Sequence, residues 1–302
     1  MNFSLRKCRK KIGEIHGYLF VLPCLVLISF YIIYPLVWLF YVSFHNWTGG
    51  VSTAMEFIGF SNYYELFTND PVFRTALKNV SFWAALTISI QASLGLLFAV
   101  LLDARIKGKT AYRTIIFLPV TATFSVIGMV WAWGIYQPES GQLDTILRTL
   151  GLGNWSLLWL ADPDLAIFSM IAVNIWQWTG WSMILYIAGL QAIPAELYEA
   201  AKVDGAGAIR RFWNITIPQL IPVHFTLVLL GIIGTLKTFD LVYIMTKGGP
   251  GNSSHLIATK LFRDAFEIHR WGYSCSVGVI LFLLALVITI MNITAYQRRR
   301  GI

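Results

Sequence analysis

The sequence predicts an all-α, polytopic membrane protein with six transmembrane helices, on three observations. Of its 302 residues, 57% are hydrophobic, 15% aromatic and only 13% charged, where a soluble domain carries about a quarter charged. Six runs, 17–44, 79–102, 114–138, 165–195, 212–236 and 271–297, contain no Asp, Glu, Lys or Arg, and a bilayer core takes about 20 helical residues at ~1.5 Å rise each. The basic residues between those runs fall unequally on alternate sides, which sets an orientation.

With the N terminus inside, the cytoplasmic side holds Arg6, Lys7, Arg9, Lys10 and Lys11; Arg105, Lys107, Lys109 and Arg113; Lys202, Arg210 and Arg211; and Arg298, Arg299 and Arg300. Outside fall Arg74, Lys78, Arg148, Lys247, Lys260, Arg263 and Arg270. Both termini are therefore expected in the cytoplasm. The net charge of +8 reads as topological anchors and contacts for anionic lipid headgroups rather than a nucleic-acid surface. Cys8, Cys24 and Cys275 form no spaced pair or ligand set, so neither a disulfide framework nor a zinc site is expected.

Residues 1–16 form a basic cytoplasmic segment, and 17–302 a single transmembrane domain. The first run, 17–44, is too long and too aromatic for a signal peptide, and no small-residue cleavage site follows it; it is a retained helix. Residues 45–78 make an outer segment of turn residues and aromatics with short interfacial helices, where Trp47, Phe57, Phe60, Tyr63, Tyr64 and Phe67 suit an interfacial belt better than a ligand box. The second helix spans about 79–102. In the loop 103–113, Gly108-Lys109-Thr110 invites a phosphate-loop reading, but the motif needs glycine where Asp103 stands, and no strand precedes it. The chain is expected to have no ATP site of its own.

The third helix covers 114–138. The outer loop 139–163 contains Asn154-Trp155-Ser156, Trp159 and an amphipathic stretch, Ser140-Gly-Gln-Leu-Asp-Thr-Ile-Leu. Its acids, Glu139, Asp144, Asp162 and Asp164, have no His, Cys or Ser partner at usable spacing and read as solvated surface. In the fourth helix, about 165–192, Asn174, Trp176, Gln177, Trp178, Thr179 and Trp181 cluster ahead of an apolar half. Amides and hydroxyls in a bilayer must pair or face a wet cavity. The cluster is either a lumen lining, suited to sugars whose C–H faces stack on aromatic rings, or an outer aromatic belt with helix-tying amides.

Between the fourth and fifth helices lies the polar segment 194–217. Pro194 suits a first helical turn, and Glu196 and Glu199 favour its positive end. Gly205 suits the stop. A second helix from about Ala206 sets Ile209, Phe212, Trp213 and Ile217 on one apolar face. From composition, this is either a rigid knob for another protein to grip or an ordinary interhelical loop. The fifth helix, about 218–246, contains Gly231, Gly234, Thr235, Lys237, Thr238, Phe239 and Asp240. Lys237 and Asp240, at i and i+3, are expected to neutralise one another. The sixth helix, 271–297, stops at Arg298-Arg-Arg. His224, His255 and His269 are isolated from acids and from each other, so no metal site is expected.

Glu199-Ala200-Ala201, then Gly205-Ala206, then Ile215-x-Ile217-Pro218 resembles the EAA motif of the membrane subunits of bacterial ABC importers. Phe239-Asp240 followed by Thr246-x-Gly248-Gly249-Pro250 resembles the carbohydrate-uptake type, in particular the larger membrane subunit of maltose and glycerol-phosphate importers. The likeness runs from about Tyr18 to Arg300. It implies a type I ABC importer permease fold whose coupling helix docks on an ATPase through Glu199, Ala200, Ala201, Asp204, Gly205 and Arg210. It implies as partners a second homologous permease, two copies of an ATPase that uses ATP and Mg, and an extracytoplasmic solute-binding protein that docks on the outer face near 140–153. The substrate path would be lined by Asn174, Gln177, Trp178, Trp181, Gly231, Gly234, Thr235, Thr238 and Phe239. No catalytic residue and no bound cofactor are expected. Rival readings are an ion-coupled secondary transporter, for which Asp240 is the one acid within a span, a membrane enzyme, and an importer of a non-sugar solute such as a glycerol phosphate.

Overall fold

A computed structural model describes residues 20–50, 52–103, 107–153 and 157–300, with side chains as far as 298. The basic cluster Arg6 to Lys11, Cys8, Arg105 and Asn154-Trp155-Ser156 lie outside the described residues. Almost all regular structure is helical. Three helices are long and apolar enough to cross a membrane: α1 (Phe20–Ser43), α3 (Pro71–Asp103) and the last helix, α13 (Trp271–Arg300). Two bent pairs meet the same standard together: α4 (Lys109–Thr121) with α5 (Phe124–Ile135), at 90°, and α9 (Ala208–Gln219) with α10 (Ile221–Lys237), at 58°. The remaining expected crossing is α7 (Ala166–Gln191), 26 residues without a charge and about 39 Å long. Its amides, hydroxyls and tryptophans leave it less apolar than the three, and most of it is buried in the protein.

One unit comprises residues up to Glu65 with Asp264–Val279. α1 exposes nearly all its apolar surface, Phe20, Tyr31 and Ile32 among it. It ends in a two-residue antiparallel ladder, β1 (His45–Asn46) on β2 (Glu56–Phe57), which the all-helical expectation did not include. Short α2 (Ser61–Thr68) begins here. Asn62, 4% exposed, donates to the carbonyls of Ser43 and His45 at 2.9 and 3.1 Å. Arg270 forks onto Glu65 at 2.8 and 2.6 Å. Phe57, Phe60 and Tyr64 are exposed.

The second unit holds residues 66–263 and 280–302. α3 begins eight residues before the charge-free run, because Asp70 caps it, accepting from the Phe73 N–H at 2.8 Å, and Pro71 occupies the first turn. Midway, a wider π-turn spans Thr87–Gln91. α3 lies along α7 through small residues: a Cβ on Gly95 would sit 2.6 Å from Ser182 Cβ, and one on Gly180 would sit 2.4 Å from the Ile116 carbonyl of α4. Ala99, Leu102, Met183, Tyr186, Ile187, Leu220 and Leu227 close the core between α3, α7 and α10.

The third and fifth expected crossings are broken rather than continuous. Ala122 is extended and Thr123 starts α5 as its cap; the carbonyl freed at Ala122 takes a hydrogen bond from Gln177 Nε2 at 3.1 Å, as backbone at membrane depth requires. Pro218 and Pro222 flank the bend at Leu220. Thr238 and Phe239 then leave helical geometry before α11 (Asp240–Met245). This break overturns the expected Lys237–Asp240 pairing: the two no longer share a helical face, and no ion pair between them occurs among the described residues.

The end of the helices expected to face outside is tied down by polar contacts. α6 (Gln142–Thr149) occupies the amphipathic stretch, but Asp144 is 2% exposed. It accepts from the Glu139 N–H at 3.0 Å and from Trp159 Nε1 at 3.4 Å, so it is a buried loop anchor and not solvated surface. Downstream, Asn79 donates to the carbonyls of Ser253 and His255 at 2.6 and 3.0 Å, and Lys260 of α12 (Ile257–Phe262) pairs with Asp70 at 2.7 Å. Burial, then the nearby Arg263 and Lys260, push the His255 pKa down from 6.5 to about 4. Between those two values the unfolded segment binds a proton that the folded one refuses, so stability is full above pH 6.5 and falls as pH drops toward 4, by roughly 3 kcal/mol in all. Thermal melts of the purified protein should show this loss across that window, and His255→Gln should flatten it; an unchanged pH profile in the variant counts against this assignment.

Candidate functional site

The second unit contains a cavity of about 350 Å³. Five helices and one break build it. α3 contributes Trp83, Thr87 and Gln91; α7 contributes Asn174, Trp178 and Trp181; α10 contributes Leu227, Leu230, Gly231, Gly234, Thr235 and Lys237; Phe124 of α5, the break at Thr238 and Phe239, and Asp240 and Leu241 of α11 complete it. Three of the α7 residues fall at i, i+4 and i+7, one helical stripe. The glycines keep the α10 wall low: a Cβ on Gly231 would press on Ile88 at 2.7 Å, whereas one on Gly234 would meet only open space.

The polar groups are held in place. Gln91 Nε2 donates to Ser182 Oγ at 2.8 Å. Thr235 and Thr238 return their hydroxyl protons to the carbonyls of Gly231 and Gly234, both at 2.9 Å, which leaves each oxygen free to accept. Phe124 and Trp178 lie 5.9 Å apart, tilted by 38°, and Phe239 stacks on Tyr243 at 5.0 Å. Lys237 and Asp240 are exposed, and each sits where its charge suits its own helix, the cation in the last turn of α10 and the anion in the first turn of α11.

Of the predicted path residues, Asn174, Trp178, Trp181, Gly231, Gly234, Thr235, Thr238 and Phe239 come together here, and Gln177 does not. Gln177 is 1% exposed and serves the α4–α5 break. Sequence reasoning missed Trp83, Thr87 and Gln91, whose indole, hydroxyl and amide stood among the other polar residues of the same run, Asn79, Ser81, Ser89 and Ser93. It named Lys237 and Asp240 as a pair and not as lining.

The segment between α7 and α10 is a separate feature. α8 (Ala195–Val203) begins after Pro194. Gly205 turns the chain at φ +74°, a left-handed stop, and α9 follows. Glu199, Ala200, Asp204, Gly205 and Arg210 are exposed and Ala201 half-buried. Val203, Ile209 and Trp213 expose apolar surface at 87%, 77% and 62%.

Among the described residues no group of three His, Cys, Asp or Glu could hold a metal. A mostly apolar, aromatic-lined cavity with a few fixed polar groups, walled by apolar helices, together with an exposed helix–turn–helix between α7 and α10, suits a transport subunit. The chain belongs to the binding-protein-dependent transport system inner membrane components, whose family model matches residues 91–300. It is similar to a probable ABC transporter permease protein of Pyrococcus horikoshii, 35% identical over 90% of this chain and 92% of that one. The trehalose/maltose transport system permease protein of Thermococcus litoralis is 32% identical over 94% of each. The fold matches a solved bacterial ABC transporter that imports the acidic polysaccharide alginate, with a TM-score of 0.82, 22% identity, and 97% of this chain and 99% of that one covered. The chain is thus a multi-pass permease subunit of an ABC importer that works with a substrate-binding protein, and it is not an enzyme.

Proposed function

We propose that the chain carries a sugar or oligosaccharide inward as one of two homologous permease subunits, driven by two copies of a cytoplasmic ATPase that use ATP and Mg, and supplied by an extracytoplasmic binding protein. In this reading the chain crosses the inner membrane six times with both termini in the cytoplasm, and the cavity is the substrate path. The observation that carries it is the lining. Indole faces of Trp178 and Trp181 suit the C–H faces of a sugar ring, and Asn174, Gln91, Thr235 and Thr238 suit its hydroxyls. The carbohydrate relatives, the trehalose/maltose permease among them, point the same way. Lys237 and Asp240 are the cavity's formal charges and sum to zero. An anionic solute such as a glycerol phosphate would find no net positive charge there, since Asp240 offsets Lys237, whereas an uncharged polyol finds a donor and an acceptor. The α8–Gly205–α9 knob is the ATPase dock: closure of the ATPase pair would move it and rock the permease pair between inward- and outward-facing states.

The test is co-purification of the tagged chain in mild detergent, with ATP hydrolysis measured for wild type and Glu199→Lys. The expected result is a second permease and an ATPase in the wild-type complex, with hydrolysis lost or uncoupled in the variant. A chain that purifies alone and transports in liposomes without ATP makes the ion-coupled reading the better one. Within the same complex, Trp178→Ala removes about 2 kcal/mol of stacking and apolar contact, roughly thirtyfold in sugar uptake. Uptake of trehalose, maltose and lactose, normalised to chain in the membrane, checks it.

A further inference from the structure

α8 touches little. Glu196, Leu197, Glu199, Ala200 and Lys202 are exposed. Among the described residues, the side-chain hydrogen bond that joins α8 to another helix is the one between the hydroxyls of Tyr198 and Thr216, at 2.9 Å. Tyr198 is half-buried and Thr216 is 5% exposed. Thr216 closes a wide π-turn, Phe212–Thr216, of the kind that accumulates at functional sites. Four residues on, Leu220 is fully buried in the core with Met183, Tyr186 and Leu227. From Leu220, α10 runs without a break to Gly231, Gly234 and Thr235 on the cavity wall.

Other helical threonines of this chain spend their hydroxyl on their own helix: Thr87, Thr179, Thr226 and Thr235 each bond the carbonyl four residues back. Thr216 is directed to Tyr198 instead. A helix joined to its neighbour through Gly205 and Gly207 alone would swing at that turn. The hydroxyl pair closes α8, the turn and α9 into a ring, so that displacement of α8 is handed to the base of α10. Both residues occupy positions that the resemblance motif leaves unspecified, one before Glu199 and one between Ile215 and Ile217.

We infer that Tyr198 and Thr216 are positioning residues whose mutual hydrogen bond is the strut carrying motion of the ATPase dock to the cavity wall. The inference rests on the proposed role of α8. It separates docking from transmission: the exposed acids of α8 face the partner, and Tyr198 faces inward.

The test uses the assembled importer, in a parent chain with Cys8, Cys24 and Cys275 replaced by serine and Gly234→Cys as a reporter in open cavity space. The labelling rate by N-ethylmaleimide is compared without nucleotide and with ATP plus vanadate. In the parent the two rates should differ by at least about fivefold, the scale of a coupled site. Tyr198→Phe and Thr216→Val should each bring the ratio close to one while ATP hydrolysis continues, and Thr216→Ser should restore it. Parent-like nucleotide dependence in Tyr198→Phe overturns the strut. So does loss of the ATPase from Tyr198→Phe with Thr216→Val unaffected, which would make Tyr198 a docking contact. A parent without nucleotide dependence, or without an ATPase, removes the proposed function itself, and the inference with it.

Discussion

Gly205→Pro is expected to abolish uptake while leaving the chain in the membrane. Gly205 holds φ +74°, and proline fixes φ near −65°. The substitution also deletes a donor, since the Gly205 N–H bonds the Lys202 carbonyl at 3.0 Å. The turn between α8 and α9 cannot survive both losses, so the dock is repositioned or melted. The apolar runs that drive insertion are untouched. Gly205→Ala separates backbone from bulk: a Cβ there meets nothing within 4 Å, leaving only the left-handed conformation, at about 1–2 kcal/mol. Uptake should therefore fall more than about a hundredfold for proline, as for loss of a required coupling of a few kcal/mol, and several-fold at most for alanine. Sugar uptake and quantification of the membrane fraction measure both. Normal uptake by the proline variant would remove the docking role from this segment.

The parts of the fold that were legible in the sequence are those that depend on solvent. Charge-free runs found the apolar stretches of α1, α3 and α13, because lipid penalises charge wherever it falls along a helix. They could not find where backbone geometry breaks. Pro119, Pro218 and Pro222 stood in the runs, yet whether a proline kinks a helix or ends it depends on what satisfies the freed carbonyl, and for Ala122 that is Gln177, 55 residues away. The same limit hid the true start of α3: Arg74 and Lys78 ended the run, although the helix continues outward past them to its Asp70 cap. Asp144 read as solvated because its partner Trp159 lies 15 residues along the chain. On the cavity, the α7 stripe and the small residues of α10 were visible because amides and glycines are costly in a membrane helix without a reason. Trp83, Thr87 and Gln91 acquire meaning only once α3 is packed opposite α10. The left-handed stop at Gly205 needed no tertiary information, since glycine after a helical period suffices to place it.

Asp70→Ala should produce the largest loss of stability, because one side chain does two jobs. Its carboxylate is 2.7 Å from Lys260, whose side chain is 3% exposed against 12% for Asp70, and it also caps α3 through the Phe73 N–H. Removing one partner of a buried pair costs about 3–5 kcal/mol, mostly because the other charge stays buried without it. Loss of the cap adds about 1 kcal/mol. The expected fall in melting temperature in detergent is on the order of 10 °C. The two jobs can be separated. Asp70→Asn keeps a capping oxygen and loses the charge, so it should cost nearly as much as alanine. Lys260→Met removes the charge from the more buried side and keeps the cap, leaving Asp70 partly solvated, so it should cost less. The double variant Asp70→Asn with Lys260→Met removes both charges of the pair and should recover most of the loss, since an uncharged pair can replace a buried ionic one. Asn79 still ties Ser253 and His255 to α3, so the outer loop should remain in place in every variant. If Asp70→Ala shifts the melt no more than Asp70→Asn with Lys260→Met, the pair is solvated in the working protein and does not lock α12 onto α3. If the single variant is far the worse, the buried charge is what locks α12 onto the start of α3.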